Sequence, residues 1–117
     1  MAIVLVVEDE FLIRLHTVDM VEGAGFDTLE AGSADEAMQI LEGHPEIAIV
    51  LTDINMPGSM NGIELAELVA EHWPRVRVVL TSGRYLLRDE DLPNEDRFIP
   101  KPFDEVQLSN VLRGLIH

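Results

Sequence analysis

Four apolar runs in this chain each end in polar residues capable of chemistry. Ile3–Val7 (IVLVV) runs into Glu8, Asp9 and Glu10. Ile47–Thr52 (IAIVLT) delivers one carboxylate, Asp53, followed by the loop INMPGSMNG. VRVVL, from Val76, ends in Thr81, Ser82 and Gly83, and RFIP, from Arg97, delivers Lys101 between two prolines. If the runs are neighbouring strands, their tips gather two or three carboxylates, a hydroxyl and an ammonium. Two carboxylates ~4 Å apart repel by up to about 4 kcal/mol at an effective dielectric of about 20. Oxygen ligands without His or Cys suit Mg2+ or Mn2+ as the offsetting charge. A lysine would act as a point charge for an oxyanion. Taken singly, each group has a plainer role: acids favouring a helix N-terminus, a loop cap, turn hydroxyls, a solvated cation. Their convergence on four strand ends points to a site.

Two periodicities alternate along the chain to position these groups. Ile3–Val7 and Ile47–Thr52 are continuous apolar runs, as strands buried on both faces require. FDTLEA, from Phe26, reads as a short strand, VRVVLTS as a fourth and RFIP as a fifth. Between them, Phe11, Leu12, Leu15, Val18 and Val21 recur at helical spacing, with Gly23 and Gly25 as a stop. Ser33 and Glu36 stand at capping-box spacing ahead of a second helix. GIELAELVAEHWP is a third helix, with Ile63, Leu65, Ala66, Leu68 and Val69 mostly inward and Pro74 as its stop. FDEVQLSNVLRGLI closes the chain as a helix carrying Val106, Leu108, Val111, Leu112 and Leu115. From Gly83 to Asp96 the apolar period is weak and Pro93 interrupts, so a short or distorted helix is expected. This order implies a doubly wound (βα)5 flavodoxin-like domain, a five-stranded parallel sheet of order 2-1-3-4-5 with helices on both faces. Sites in such sheets lie beyond the carboxyl ends of the strands.

Composition narrows the function. The 117 residues suffice for one domain with a real core. The absence of cysteine rules out disulfides, zinc–thiolate sites and thiol nucleophiles. A net charge of −14, from 22 acidic against 8 basic residues, repels phosphate backbones, so no direct nucleic-acid binding is expected. The N-terminal apolar stretch is too short to span a bilayer and lacks a basic leader, so a soluble, cytoplasmic protein without membrane contact is expected. His16, His44, His72 and His117 show no ligand spacing and are expected at the surface.

Read together, VVEDE, LTDINMPGSMNG, VVLTSG and FIPKPF, in this order, resemble the receiver domain of two-component response regulators. The resemblance covers essentially residues 1–117 as one domain. It implies that Asp53 is the phosphoacceptor, taking a phosphoryl group from a histidine kinase or histidine phosphotransfer protein. It implies a metal site for Mg2+ (or Mn2+) made by Glu8, Asp9, Asp53 and the backbone carbonyl of Asn55. Lys101 is implied to bind the phosphoryl group, with a cis Lys101–Pro102 bond. The switch hydroxyl is Ser82, followed by the small Gly83, with Thr81 as the alternative. Phe98 matches the aromatic that turns inward on activation. Slow autodephosphorylation, rather than enzymatic turnover, is implied, with a downstream protein target bound through the switched surface. The interval from Ser82 to Phe98 is short and rich in acids, as in receivers paired with HWE-class histidine kinases, which leaves a monomer or weak dimer as the expected state. The chain ends just after its last helix, so a stand-alone receiver is expected.

Three other readings are weaker. An electron carrier of this topology needs a neutral, hydroxyl-rich loop for the FMN phosphate, where this chain has Glu8-Asp9-Glu10. A phosphatase with an Asp nucleophile wants a second Asp two residues on, where Asn55 stands. A non-phosphorylated docking module would not need the full set of acids and lysine.

Overall fold

The computed structural model describes residues 2–116. Five strands, β1 (Ile3–Val7), β2 (Asp27–Ala31), β3 (Ile47–Asp53), β4 (Arg77–Ser82) and β5 (Arg97–Pro100), form one parallel sheet of order β2-β1-β3-β4-β5. Four α-helices are present among the described residues: α1 (Phe11–Gly23), α2 (Ala34–Gly43), α3 (Gly62–His72) and α4 (Glu105–Leu115). This is the expected doubly wound flavodoxin-like fold.

Strand alternation splits the apolar residues between two cores. Leu5, Val7, Val50, Val78 and Leu80 meet Ala37 and Leu41 of α2 and Leu65, Ala66 and Val69 of α3 on one face. Val4, Val6, Ile49, Leu51, Val79 and Ile99 meet Val18 and Val21 of α1 and Leu108 and Leu112 of α4 on the other. Burial of each Leu or Val side chain contributes roughly 1.5–3 kcal/mol, so the central strands dominate the stability. Reciprocal capping boxes start α3 (Asn61 with Glu64) and α4 (Asp104 with Gln107). At α2 only one arm forms: Ser33 accepts from the Glu36 N–H, while the Glu36 carboxylate turns to the Gly32 N–H instead.

One expectation needs correction, and one helix exposes more than its spacing tells. The segment from Gly83 to Asp96 contains no α-helix but two single 3-10 turns, Asp89–Asp91 and Pro93–Glu95. Asn94 and Glu95 take positive φ (57° and 61°), and Asn94 Nδ2 donates to the carbonyls of Pro74 and Val76, strapping the connector to the turn after α3. Leu87 and Leu92 pack on the core where an amphipathic helix would otherwise lie. In α1, Phe11, Leu12 and Leu15 have helical spacing yet are 61%, 76% and 44% exposed. They project from the turns that begin at the strand ends, and only Thr17, Val18 and Val21 reach the core. His16 and His72 are exposed and His44 is half-buried, while His117 lies outside the described residues.

Asp96, just ahead of β5, is almost fully buried. Its Oδ1 accepts the Val78 N–H at 2.8 Å, and its Oδ2 has no partner. Burial pushes its pKa up to about 6, against the pull of the Val78 N–H and the Arg77 charge.

Candidate functional site

The strand ends converge as the topology requires. Glu8, one residue past β1, is 5% exposed, while Asp9 and Glu10 are exposed. Asp53 closes β3 and lies opposite Thr81 of β4 in the ladder. Beyond it the Ile54 N–H bonds the Thr81 carbonyl and the Gly62 N–H bonds the Ile54 carbonyl, pulling the start of α3 back against β3. A Cβ at Gly62 would run into the Asp53 carbonyl oxygen, so the loop closes this tightly only with glycine. Lys101 follows β5, its N–H bonded to the Ser82 carbonyl and its bond to Pro102 cis.

Lys101 Nζ donates to Asp53 Oδ2 at 3.0 Å and to Glu8 Oε1 at 3.3 Å. Asp53 Oδ1 accepts the Asn55 N–H at 3.2 Å, and Glu8 Oε2 accepts the Glu10 N–H at 3.2 Å. Burial raises the Glu8 pKa, partly opposed by the Glu10 N–H and the Lys101 charge. Burial by itself would lower the Lys101 pKa, but the hydrogen bonds and charges of Asp53 and Glu8 outweigh it and raise the value. The ammonium therefore stays charged at neutral pH.

Ser82 is buried beside this pair. Its Oγ donates to Asn55 Oδ1 at 3.3 Å and accepts the N–H groups of Arg84 and Tyr85, both at 3.0 Å. Thr81 is also buried and, with Asp53, Glu8 and Lys101, lines a small void on the α1 face of the sheet. Phe98 lies one strand further out, half-buried against the α2/α3 core, with its N–H bonded to Asp89 Oδ1 at 2.9 Å.

An open pocket of about 510 Å3 is lined by Glu8, Asp9, Asp53 and Asn55, together with Arg84 and Tyr85. Among the described residues no three His, Cys, Asp or Glu side chains close into a ready metal cage. The donor set still fits a hard cation, because Mg2+ keeps several waters and uses only one or two carboxylates. Four carboxylates around one open pocket, Glu8, Asp9, Glu10 and Asp53, with a single ammonium bridging two of them, form such a set. A family model described as the response regulator receiver domain matches residues 4–113.

The chain belongs to this family. The receiver is 35% identical over 116 residues to the aerobic respiration control protein ArcA of Escherichia coli K12, covering 97% of this chain and 48% of ArcA. It thus spans about half the length of that relative. It is 29% identical to the response regulator receiver protein CpdR of Brucella abortus, covering 97% of this chain and 95% of CpdR. The response regulator TrrA of Thermotoga maritima, solved in complex with Mg2+-BeF, is 26% identical with a TM-score of 0.85, covering 99% of this chain and 100% of TrrA. Receiver domains are signalling modules of two-component systems. No helix of the described residues is long and apolar enough to cross a membrane.

Of the residues singled out in the sequence, Glu8, Asp9, Asp53 and Asn55 share the pocket. Lys101 bridges Glu8 and Asp53, Ser82 reaches Asn55, and Phe98 stays outside. Sequence reasoning missed Arg84 and Tyr85, which enter the pocket because Ser82 Oγ holds their N–H groups. Their only sequence signal was adjacency to the strand end. It also missed Arg14, whose Nη1 donates to the Glu8 carbonyl.

Proposed function

We propose that this receiver accepts a phosphoryl group on Asp53 from the phosphohistidine of a histidine kinase or histidine phosphotransfer protein. The observation that carries this reading is the Lys101 ammonium held against Asp53 and Glu8, two carboxylates that line the acidic pocket. An Asp53 carboxylate oxygen forms the new bond to phosphorus as the bond from phosphorus to the donor imidazole nitrogen breaks; that nitrogen keeps the electron pair and takes up a proton. Lys101 and the Asn55 N–H, both bonded to the Asp53 carboxylate, would hold phosphoryl oxygens. Glu8, Asp9, Asp53 and the Asn55 carbonyl would hold Mg2+ or Mn2+, and the ion when bound would screen the negative charge of the incoming group.

The product places new charge and acceptor oxygens where a smaller carboxylate stood. Ser82 Oγ then turns from the Arg84 and Tyr85 N–H groups to a phosphoryl oxygen, which frees the segment after β4. Phe98 rotates into the space left, and the surface around β4, the 3-10 connector and β5 becomes the output face for a downstream protein. The donor docks on the α1 side of the site. There Phe11, Leu12 and Ile13 stand exposed beside a groove of about 550 Å3 lined by Ile13, His16, Met20, Pro102 and Phe103. An exposed apolar patch of this kind suits a partner surface.

A cytoplasmic monomer or weak dimer fits this reading. The outward N–H of Phe98 on edge strand β5 is taken by Asp89, and Pro100 offers none, so pairing along the β5 edge is disfavoured. The test is incubation with acetyl phosphate, with and without Mg2+, followed by intact mass. The expected result is gain of one phosphoryl group that needs both Mg2+ and Asp53, and gain of the group by Asp53→Asn at the same rate would overturn the reading.

A further inference from the structure

Arg14, the fourth residue of α1, makes contacts that the roles above leave unused. Its Nη1 donates to the backbone carbonyl of Glu8 at 2.8 Å, and its Nε donates to Glu30 Oε1 at 3.1 Å. Its guanidinium lies 5.5 Å from the centroid of the Phe11 ring, and its side chain is only 19% exposed. One planar group therefore ties together the residue after β1, the edge strand β2 and the first turn of α1.

The point of attachment matters. The Glu8 carbonyl belongs to the peptide that joins Glu8 to Asp9, and that peptide is a rigid plane. Fixing its oxygen fixes the direction in which the chain presents both carboxylates. Glu8, Asp9 and Glu10 are three consecutive acids facing a fourth, Asp53, across one pocket. Their mutual repulsion works to open the loop between β1 and α1. An ion pair as exposed as Arg14–Glu30 contributes little to stability by itself. The charge-assisted bond to the Glu8 carbonyl is shorter and better shielded, since Phe11 covers the guanidinium and Glu30 orients it.

We propose that Arg14 is a positioning residue for the divalent-cation site: its guanidinium fork holds the Glu8–Asp9 peptide so that both carboxylates face Asp53 before the ion arrives. Groups that orient metal ligands typically change metal affinity 10–100-fold when removed. Lysine does not substitute, because an ammonium lacks the two coplanar N–H groups that reach Glu8 and Glu30 together.

The inference rests on the pocket being an Mg2+ site, and its test separates the two claims. Mg2+ is titrated into the metal-free full chain by calorimetry, with Mn2+ and water-proton relaxation as a second probe. Wild type binds; Arg14→Met and Arg14→Lys each weaken the dissociation constant by about tenfold or more, and Glu30→Gln weakens it by about threefold. Thermal unfolding in chelator shows whether each variant is folded, and if Arg14→Met is not, Arg14→Lys decides on the same criterion. Dissociation constants for the folded Arg14 variants within about twofold of wild type would overturn the inference while leaving the cation site intact. Failure of wild type to bind Mg2+ would overturn the site and the inference together.

Discussion

Lys101 and Asp53, 48 positions apart in sequence, meet with Nζ 3.0 Å from Oδ2, and the same ammonium reaches nearly buried Glu8. The pair exists because β3 and β5 flank β4 and both end at one level: Asp53 and Ile99 each lie opposite Thr81. One cation thus offsets two carboxylates that would otherwise repel across the sheet. Lys101→Met is expected to slow phosphoryl uptake from acetyl phosphate by about 100-fold, the scale for losing one preorganised oxyanion partner. The folded Lys101 pKa is raised above the ordinary 10.5. Its stabilisation is therefore fully present below 10.5 and fades as the pH rises through the folded value. The stability deficit of Lys101→Met should be flat from about pH 7 to 9 and shrink only in stronger base, as denaturant titrations at several pH values would report.

Asp96 gives the opposite pH signature. Its folded pKa of about 6 lies above the ordinary 3.8, so the native state holds the proton more tightly. Stability from this group is complete below 3.8, declines as the pH rises through about 6, and is lost above. Asp96→Asn keeps an oxygen for the Val78 N–H and removes the buried charge. It should be more stable than wild type by about 1–3 kcal/mol near pH 7.5, by about half as much near pH 5, and equal to it only below about pH 3.8, measured by urea unfolding. A constant difference across that range would contradict the assignment.

Ser82 and Thr81 separate cleanly. Ser82→Ala removes the acceptor of the Arg84 and Tyr85 N–H groups and the hydroxyl assigned to the phosphoryl oxygen. The variant should still take phosphate, but the amide resonances of Gly83 to Leu86 should then shift much less on phosphorylation. Thr81→Val should keep the full response, since Thr81 points to the opposite face of β4 from Ser82. If Thr81→Val lost the response and Ser82→Ala kept it, the switch hydroxyl would be Thr81.

Gly62→Ala drives a methyl group into the Asp53 carbonyl. The start of α3 must then move away from β3, which should lower stability by about 1–3 kcal/mol and displace Asn55 from the pocket. The combined readout is thermal unfolding and Mg2+ affinity, and both should fall.

Much of this was legible in the sequence because the sheet is buried on both faces. Continuous apolar runs such as Ile3–Val7 and Ile47–Thr52 have one sensible state, and their order fixes which polar residues reach the same edge. Asp53, Glu8 and Lys101 could be named from that logic. The connector from Gly83 to Asp96 could not be drawn, because its structure depends on the side chain of Asn94 reaching the carbonyls of Pro74 and Val76. Helical spacing found α1 but left the exposure of Phe11, Leu12 and Leu15 open: periodicity tells which residues share a stripe, not whether a neighbour covers it. Arg14 was invisible for a related reason, since its partner is a backbone carbonyl, which carries no sequence signal.

The central claim is that Asp53 is the phosphoacceptor, and chemical trapping tests it most directly. The protein is treated with acetyl phosphate and Mg2+, reduced with borohydride, digested and mapped by tandem mass spectrometry. Reduction of an aspartyl phosphate leaves homoserine at the acceptor. The account predicts homoserine at position 53 and at no other carboxylate of the pocket. Reduction at Glu8, Asp9 or Glu10 with Asp53 unmodified would contradict it.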